Sequence, residues 1–283
     1  MSRSINTLVH DMLHVVETGE GLTEELLIRY GRNTGTALEE AFGRNHMGPA
    51  LRMSALGKPC DRQLWYQHTK APREKLRRET LNKFAYGHII EEYALLLAAA
   101  GGHLVEGEQD TMHLDGVVGH RDCVIDGMLI DVKSASGRGF GKFASNGLRA
   151  DDPFGYLMQL AAYLESSQDD PLVTNKTEAG FLVLDKESGK ICLDVYDLTE
   201  EMKQVREVIA RKRAVLASEE PPERSFDPVP QSKTSPNTQL SVECRYCDFK
   251  QTCWPEARKF LYASGPVWLV DVVKLPNVQE IVE

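Results

Sequence analysis

Two sets of residues in this chain have types and spacings that could do chemistry. The first is the run Gly119-His120-Arg121-Asp122-Cys123-Val124-Ile125-Asp126-Gly127-Met128-Leu129-Ile130-Asp131-Val132-Lys133. Asp-Gly between alternating residues is a strong signal for a two-residue hairpin turn. With Asp126-Gly127 as that turn, Val124 faces Leu129, Asp122 faces Asp131 and His120 faces Lys133, all on one side of the hairpin. Cys123, Ile125, Met128, Ile130 and Val132 collect on the other, apolar side, which is expected to be buried. Carboxylates directly across a strand pair stand about 4.5–5.5 Å apart at Cβ and repel. A hard divalent cation offsets that repulsion, because Mg²⁺ takes carboxylate oxygens and keeps waters for a substrate. Lys133 points the same way, where it could orient or deprotonate an attacking water or steady charge growing on a phosphate. The competing reading is a solvated hairpin in which Asp131 merely pairs with Lys133.

The second set is Cys244-x-x-Cys247 followed by Cys253, three thiols in one short segment. In a reducing compartment such cysteines are better read as metal ligands than as disulfides, and closure needs a fourth. Cys60, in a loop leading into a helix, is the best candidate. Spacing alone fits an iron–sulfur cluster and Cys₄ zinc equally, since thiolates serve both. The remaining cysteines, Cys123 and Cys192, are expected in the core.

The elements that must position these residues follow from periodicity. Residues 4–43 read as helical, and a second helix is expected over 81–100, stopped by Gly101-Gly102. Short strands over 103–114, 117–125 and 128–134 are separated by Asp115-Gly116 and Asp126-Gly127. A helix over 154–166, strands over 179–185 and 190–197 and a charged helix over 199–217 come next. The stretch 220–240 reads as a connector. Ser136–Phe143 superficially suggests a phosphate loop, but it lacks the first glycine and has Phe143 where Ser or Thr is required. It is expected to be a flexible loop in which Arg138 and Lys142 could touch a DNA backbone.

Around the hairpin the sequence resembles the RecB-like branch of the PD-(D/E)XK nucleases. Gly119-x-x-Asp122 with Asp131-x-Lys133 matches its central motif, Gly87-His88 stands where the branch has a helical histidine, and Gln159 with Tyr163 matches its later helix. Arg121 stands where other members of the superfamily carry proline. The resemblance implies a restriction-endonuclease-like α/β core, a mixed sheet flanked by helices. It implies His88, Asp122, Asp131 and the Val132 carbonyl as metal ligands, Lys133 as catalytic, and Gln159 and Tyr163 as contacts to DNA or supports of the site. Glu91 and Glu92 could each reach the metal, and the residues do not choose between them.

One upstream cysteine with C-x2-C-x5-C downstream resembles the iron–sulfur members of that branch, the AddB nuclease domain and the CRISPR-associated RecB-like exonucleases. That implies a [4Fe–4S] cluster on Cys60, Cys244, Cys247 and Cys253, clasping distant parts of the chain. The organisation expected is an N-terminal helical extension over 1–48, a nuclease core over 49–220, and a connector with a cysteine-rich tail over 221–283. The activity implied is Mg²⁺- or Mn²⁺-dependent exonuclease hydrolysis of single-stranded or end-bearing DNA, with 5′ to 3′ polarity in the relatives. Recombination, repair, or phage or CRISPR DNA processing, with a helicase or recombination partner, is the implied setting. The alternative is a non-catalytic DNA- or partner-binding module stabilised by a Cys₄ metal centre.

Composition narrows these readings only a little. A net charge of −9 argues against a general polyanion binder, although metal-binding carboxylates contribute to it. No apolar run approaches the roughly 20 residues of a membrane span. With no signal-peptide pattern at the start, a cytoplasmic protein is expected.

Overall fold

Both Asp-Gly pairs are turns. Asp115 and Gly116 have φ of 46° and 71°, and Asp126 and Gly127 have 49° and 81°, the pair of positive values a type I′ hairpin requires. The structure, a computed structural model, describes residues 3–42, 51–75 and 78–282. Its contacts divide the chain into two units, Met1–Lys58 with Arg77–Lys212, and Pro59–Leu76 with Arg213–Glu283. The fold class is mixed α/β.

In chain order the first unit contains α1 (Leu8–Thr18) and α2 (Glu24–Phe42); α3 (Asp61–His68) belongs to the second unit. The first unit resumes with α4 (Arg78–Ala100), β1 (Val105–Glu106), β2 (Thr111–Leu114), β3 (Val117–His120), β4 (Cys123–Ile125) and β5 (Met128–Ala135). It ends with α5 (Gly137–Ala144), α6 (Tyr156–Ser166), β6 (Glu178–Asp185), β7 (Ile191–Asp197) and α7 (Thr199–Leu216). Its main sheet has the order β1-β4-β5-β6-β7, with β5 and β6 parallel and the other neighbours antiparallel. Strands β2 and β3 form a separate ribbon.

The hairpin register is the expected one where β4 and β5 pair: Cys123 with Ile130, Val124 with Leu129, Ile125 with Met128. Its expected apolar side, including Cys123, Ile125 and Ile130, packs into one core with Leu8 and Met12 of α1 and Leu95 of α4. Val124 and Leu129 are buried as well, so the sheet is covered on both sides near the turn. Beyond Cys123 the register ends, and the opposition of His120 and Lys133 is corrected. His120 lies in β3, opposite Thr111 in the ribbon. Arg121 makes the break: 2% exposed, it reaches Asp110 and Asp170 at 2.6 and 2.5 Å and the Gly107 carbonyl at 3.1 Å. The chain before Arg121 therefore pairs with β2, while the chain after it pairs with β5.

Helix α4 stops as its glycines dictate. Gly101 N–H bonds the Leu97 carbonyl at 2.8 Å, His103 N–H bonds Ala98 at 3.1 Å, and Gly102 takes φ 85°. The N-terminal helices are not a separate extension: Leu8, Met12, Val15 and Tyr30 share the core of α4 and the sheet. The expected boundary at 48/49 falls outside the described residues, and Pro59–Leu76, expected within the nuclease core, groups with the tail. Ser136–Phe143 is not a loop. It becomes the N-cap and body of α5, with Phe143 buried against Phe181 at 5.4 Å between ring centres.

The second unit adds β8 (Val229–Pro230), β9 (Thr238–Gln239), α8 (Val242–Arg245), α9 (Lys250–Cys253), β10 (Arg258–Tyr262), β11 (Gly265–Leu269) and β12 (Glu280–Ile281). The strands form one antiparallel sheet, β12-β10-β11-β9-β8. Leu240, Trp254 and Trp268 form its small core, with Cys244 and Cys253 packed against them. The connector expected over 220–240 thus contributes two short strands to this sheet.

Candidate active site and thiol cluster

In the first unit, Asp122 stands at the end of the hairpin pairing and Asp131 inside β5. Asp122 Oδ2 accepts the backbone N–H of Val132 at 2.7 Å, which brings both acids to one place. Asp131 is 5% exposed, and its Oδ1 accepts from Gln159 Nε2 of α6 at 3.3 Å. Asp131 Oδ2 is in ion-pair contact with Lys133 Nζ and otherwise has no hydrogen-bond partner. The ammonium of Lys133 also lies 5.2 Å from the centre of the Tyr156 ring, a cation–π distance.

The third acid is Glu91 of α4. Burial first, then the charges of Glu92 and Asp131, push its pKa up to about 7. Asp122 is driven well above the usual carboxylate range by burial and by Asp131 and Glu91, against the pull of Lys133 and the Val132 N–H. Burial would lower the pKa of Lys133, but Asp131 and Asp122 outweigh it and raise it. The two aspartates thus favour the charged form of Lys133. Glu92, by contrast, is buried on the neighbouring side of the helix, where Asn33 and Glu108 of the first unit act on it.

His88 stands apart from the acids' hydrogen-bond network among the described residues. It is exposed and has no hydrogen bond or ion pair to any described residue, whereas Glu91, about one turn on, carries the charge that Asp122 feels. Val132 is buried and paired with Leu182 of β6, and its N–H is the group seen to act on the site. Tyr163 is 5% exposed and closes against β3: a Cβ on Gly119 would lie 2.6 Å from its ring. Burial, then Asp131 and Asp122, raise its pKa to about 12, so it stays a neutral phenol. The residue missed from sequence is Tyr156. Its spacing of three and seven residues before Gln159 and Tyr163 on one helix is the signal that could have found it. Lys142 is paired with Asp151 instead of standing free.

In the second unit the thiols gather from two chain segments. Cys60 caps α3, its Sγ accepting the Gln63 N–H at 3.4 Å, and Ser241 Oγ caps α8 by accepting the Cys244 N–H at 3.4 Å. Cys247 N–H bonds the Cys244 carbonyl at 3.1 Å, and Arg224 grips the Cys253 carbonyl at 2.6 Å. Side chains fasten the two segments: Tyr66 stacks on Phe249 at 5.7 Å, Arg62 bonds the Pro222 carbonyl at 2.7 Å, Thr252 bonds that of Pro72 at 2.6 Å, and Lys250 pairs with Glu74. All four cysteines are half-buried and none is in a disulfide.

Burial raises the pKa of Cys244, Cys247 and Cys253, and Cys60 adds to the rise in each; Cys247 reaches about 11. Arg62 and Arg224 pull Cys253 back down. The buried indole N–H of Trp254 has no full hydrogen bond, and it acts on the Cys244 thiol. Cys123 is in the core as expected; Cys192 is half-buried in β7.

Among the described residues no three His, Cys, Asp or Glu side chains are close enough as they stand to form a metal-ligand set. The acids and the thiols are gathered but not closed. Both groups nevertheless suit a cation. The acids share one lysine among three carboxylates, and Asp131 keeps a buried oxygen without a hydrogen bond. Cys60 acts on each of the other three thiols and Cys244 on Cys247 and Cys253, an indole donor adjoins Cys244, and two guanidiniums favour the thiolate of Cys253.

No family model matches the chain, and no curated protein does. Among solved structures, one described as the crystal structure of SSO0001 aligns with 79% of this chain and 95% of its own, at 14% identity and a TM-score of 0.40. Among the described residues no helix is long and apolar enough to cross a membrane.

Proposed function

We propose that the chain is a metal-dependent DNA nuclease with a PD-(D/E)XK core, hydrolysing single-stranded or end-bearing DNA as an exonuclease. One observation carries this reading: Asp122, bonded to the Val132 N–H beside Asp131, and Glu91 act on one another, with Lys133 as a cation acting on both aspartates. Asp122, Asp131 and Glu91 would hold Mg²⁺ or Mn²⁺, with the Val132 carbonyl as a further ligand. The bound ion supplies Lewis acidity and eases deprotonation of water at neutral pH.

The remaining roles belong to side chains of this unit. Lys133, kept protonated, steadies negative charge on the phosphate being cut. Gln159 fixes the rotamer of Asp131, and Tyr163 wedges α6 against β3 so that the acids keep their spacing. In the second unit, Cys60, Cys244, Cys247 and Cys253 would hold a cluster, and the family resemblance favours [4Fe–4S] over zinc. Its role is structural, fastening Pro59–Leu76 to the tail. A cytoplasmic setting in recombination, repair, or phage or CRISPR DNA processing, with a helicase or recombination partner, accords with this chemistry.

The test is Mn²⁺-dependent degradation of 5′- and 3′-labelled single and double strands by wild type, Asp131→Ala and Lys133→Ala. Loss of degradation in both variants supports the reading. Equal degradation by all three assigns it to a contaminant and leaves a DNA-binding module as the function.

A further inference from the structure

Phe154 is a large apolar side chain left 64% exposed beside the acidic site. Single exposed apolar residues are ordinary, but this one is held out by its surroundings. Pro153 precedes it, and Asp152 behind it accepts the N–H groups of Tyr156 and Leu157, both at 2.9 Å. Gly155 after it takes φ 69° and lies so close to Gly57 that a Cβ would stand 1.9 Å from the Gly57 carbonyl oxygen. The backbone on both sides of the ring is therefore fixed.

The ring is also continuous with the catalytic residues. Its centre is 5.4 Å from that of Tyr156, tilted by 34°, and the Tyr156 ring meets Lys133 Nζ at 5.2 Å. Tyr156 also neighbours Phe143 and Phe181, at 6.0 and 6.1 Å between ring centres. A series of rings thus runs outward from Lys133 at the acids and ends in a face open to solvent. Of the nearby charges, Asp152 is used in capping α6 and Asp151 is paired with Lys142, so neither is left unpaired beside the ring.

Resting on the nuclease reading, we infer that Phe154 is a binding residue for a single strand: it stacks an unpaired nucleobase next to the phosphate that Lys133 steadies. Every base has a π-face, so such a contact tolerates sequence, and a paired base inside a duplex cannot make it. The ring selects single-stranded or frayed ends over intact duplex. Because the backbone that carries it is already fixed, ordering the ring adds only side-chain cost when the base arrives.

The test compares full-length wild type, Phe154→Leu and Phe154→Trp in Mn²⁺. Substrates are single-stranded oligonucleotides carrying one abasic residue at each successive position from the end, together with the unmodified strand. Leucine keeps the apolar bulk and removes the ring. Phe154→Leu should raise KM for the unmodified strand by about 5- to 150-fold, the range of one base–aromatic stack. It should add nothing further at the abasic position that already weakens the wild type, and Phe154→Trp should restore KM. If wild type degrades single strands and Phe154→Leu matches it on every substrate, the stacking role is overturned while the nuclease reading stands. If wild type degrades no DNA, both fall.

Discussion

The N–H of Val132 donates to Asp122 at 2.7 Å, so the residue that follows one acid holds the other. The Asp122 carboxylate cannot swing away from β5 without breaking its hydrogen bond to the Val132 main chain. Gln159 supplies the hydrogen bond to Asp131.

Glu91→Gln and His88→Ala separate the two candidate helical ligands. Glu91→Gln should lower Mn²⁺-dependent cleavage by about 100-fold or more, the scale of losing a group that acts on the reacting centre. His88→Ala should leave cleavage within about threefold of wild type, since it meets neither acid. Initial rates on a labelled single strand decide it, and the reverse order would return His88 to the site.

Raising the Glu91 pKa to about 7 has two consequences of definite sign. The folded chain holds this proton more tightly than the unfolded chain does. Without a cation, the stability from this group is full below about pH 4.5 and is lost as pH rises through about 7. Protons also compete with the cation there, so Mn²⁺ affinity should weaken about tenfold from pH 8 to pH 6. Calorimetric titration of Mn²⁺ into wild type and Glu91→Gln checks this. A flat wild-type profile would remove Glu91 from the cation site.

Gly119→Ala places a methyl 2.6 Å from the Tyr163 ring and 2.9 Å from Met53 Cβ. Neither neighbour is the loose end of an exposed chain, so α6 must shift, at a cost of about 1–3 kcal/mol. Cleavage should fall further than the melting temperature suggests, because Gln159 rides on the same helix. Tyr163→Ala combined with Gly119→Ala should recover part of the lost stability, as thermal melts would show.

Replacing Cys60 or Cys244 by serine should abolish iron and sulfide content and the visible absorbance of anaerobically purified protein. Cys123→Ser and Cys192→Ser should keep them. A colourless wild type with one zinc per chain would instead establish the zinc alternative.

Much of the first unit was legible because its signals are local. Two Asp-Gly turns fixed two hairpins, and the glycine pair after Ala100 fixed the end of α4. His120 was misplaced because a two-residue period continues through Arg121, and nothing in that pattern shows that Arg121 will be buried with Asp110 and Asp170. Glu91 could not be separated from Glu92, since adjacent residues on a helix point about 100° apart and the choice depends on which face the sheet covers. The grouping of Cys60 with the tail was anticipated from thiol chemistry. The membership of the whole Pro59–Leu76 segment was not, because it rests on contacts such as Tyr66 with Phe249 that have no sequence period.

That discontinuous segment bears on how the molecule is made. As the chain leaves the ribosome, everything the first unit needs has emerged by Lys212, whereas Pro59–Leu76 has by then been waiting without most of its own unit. The three proposed partners of Cys60, which are Cys244, Cys247 and Cys253, all follow Lys212 in the chain. On the proposed ligand set, loading of the thiols would follow completion of the first unit, and a product stalled at Lys212 would carry the acidic residues alongside a lone Cys60.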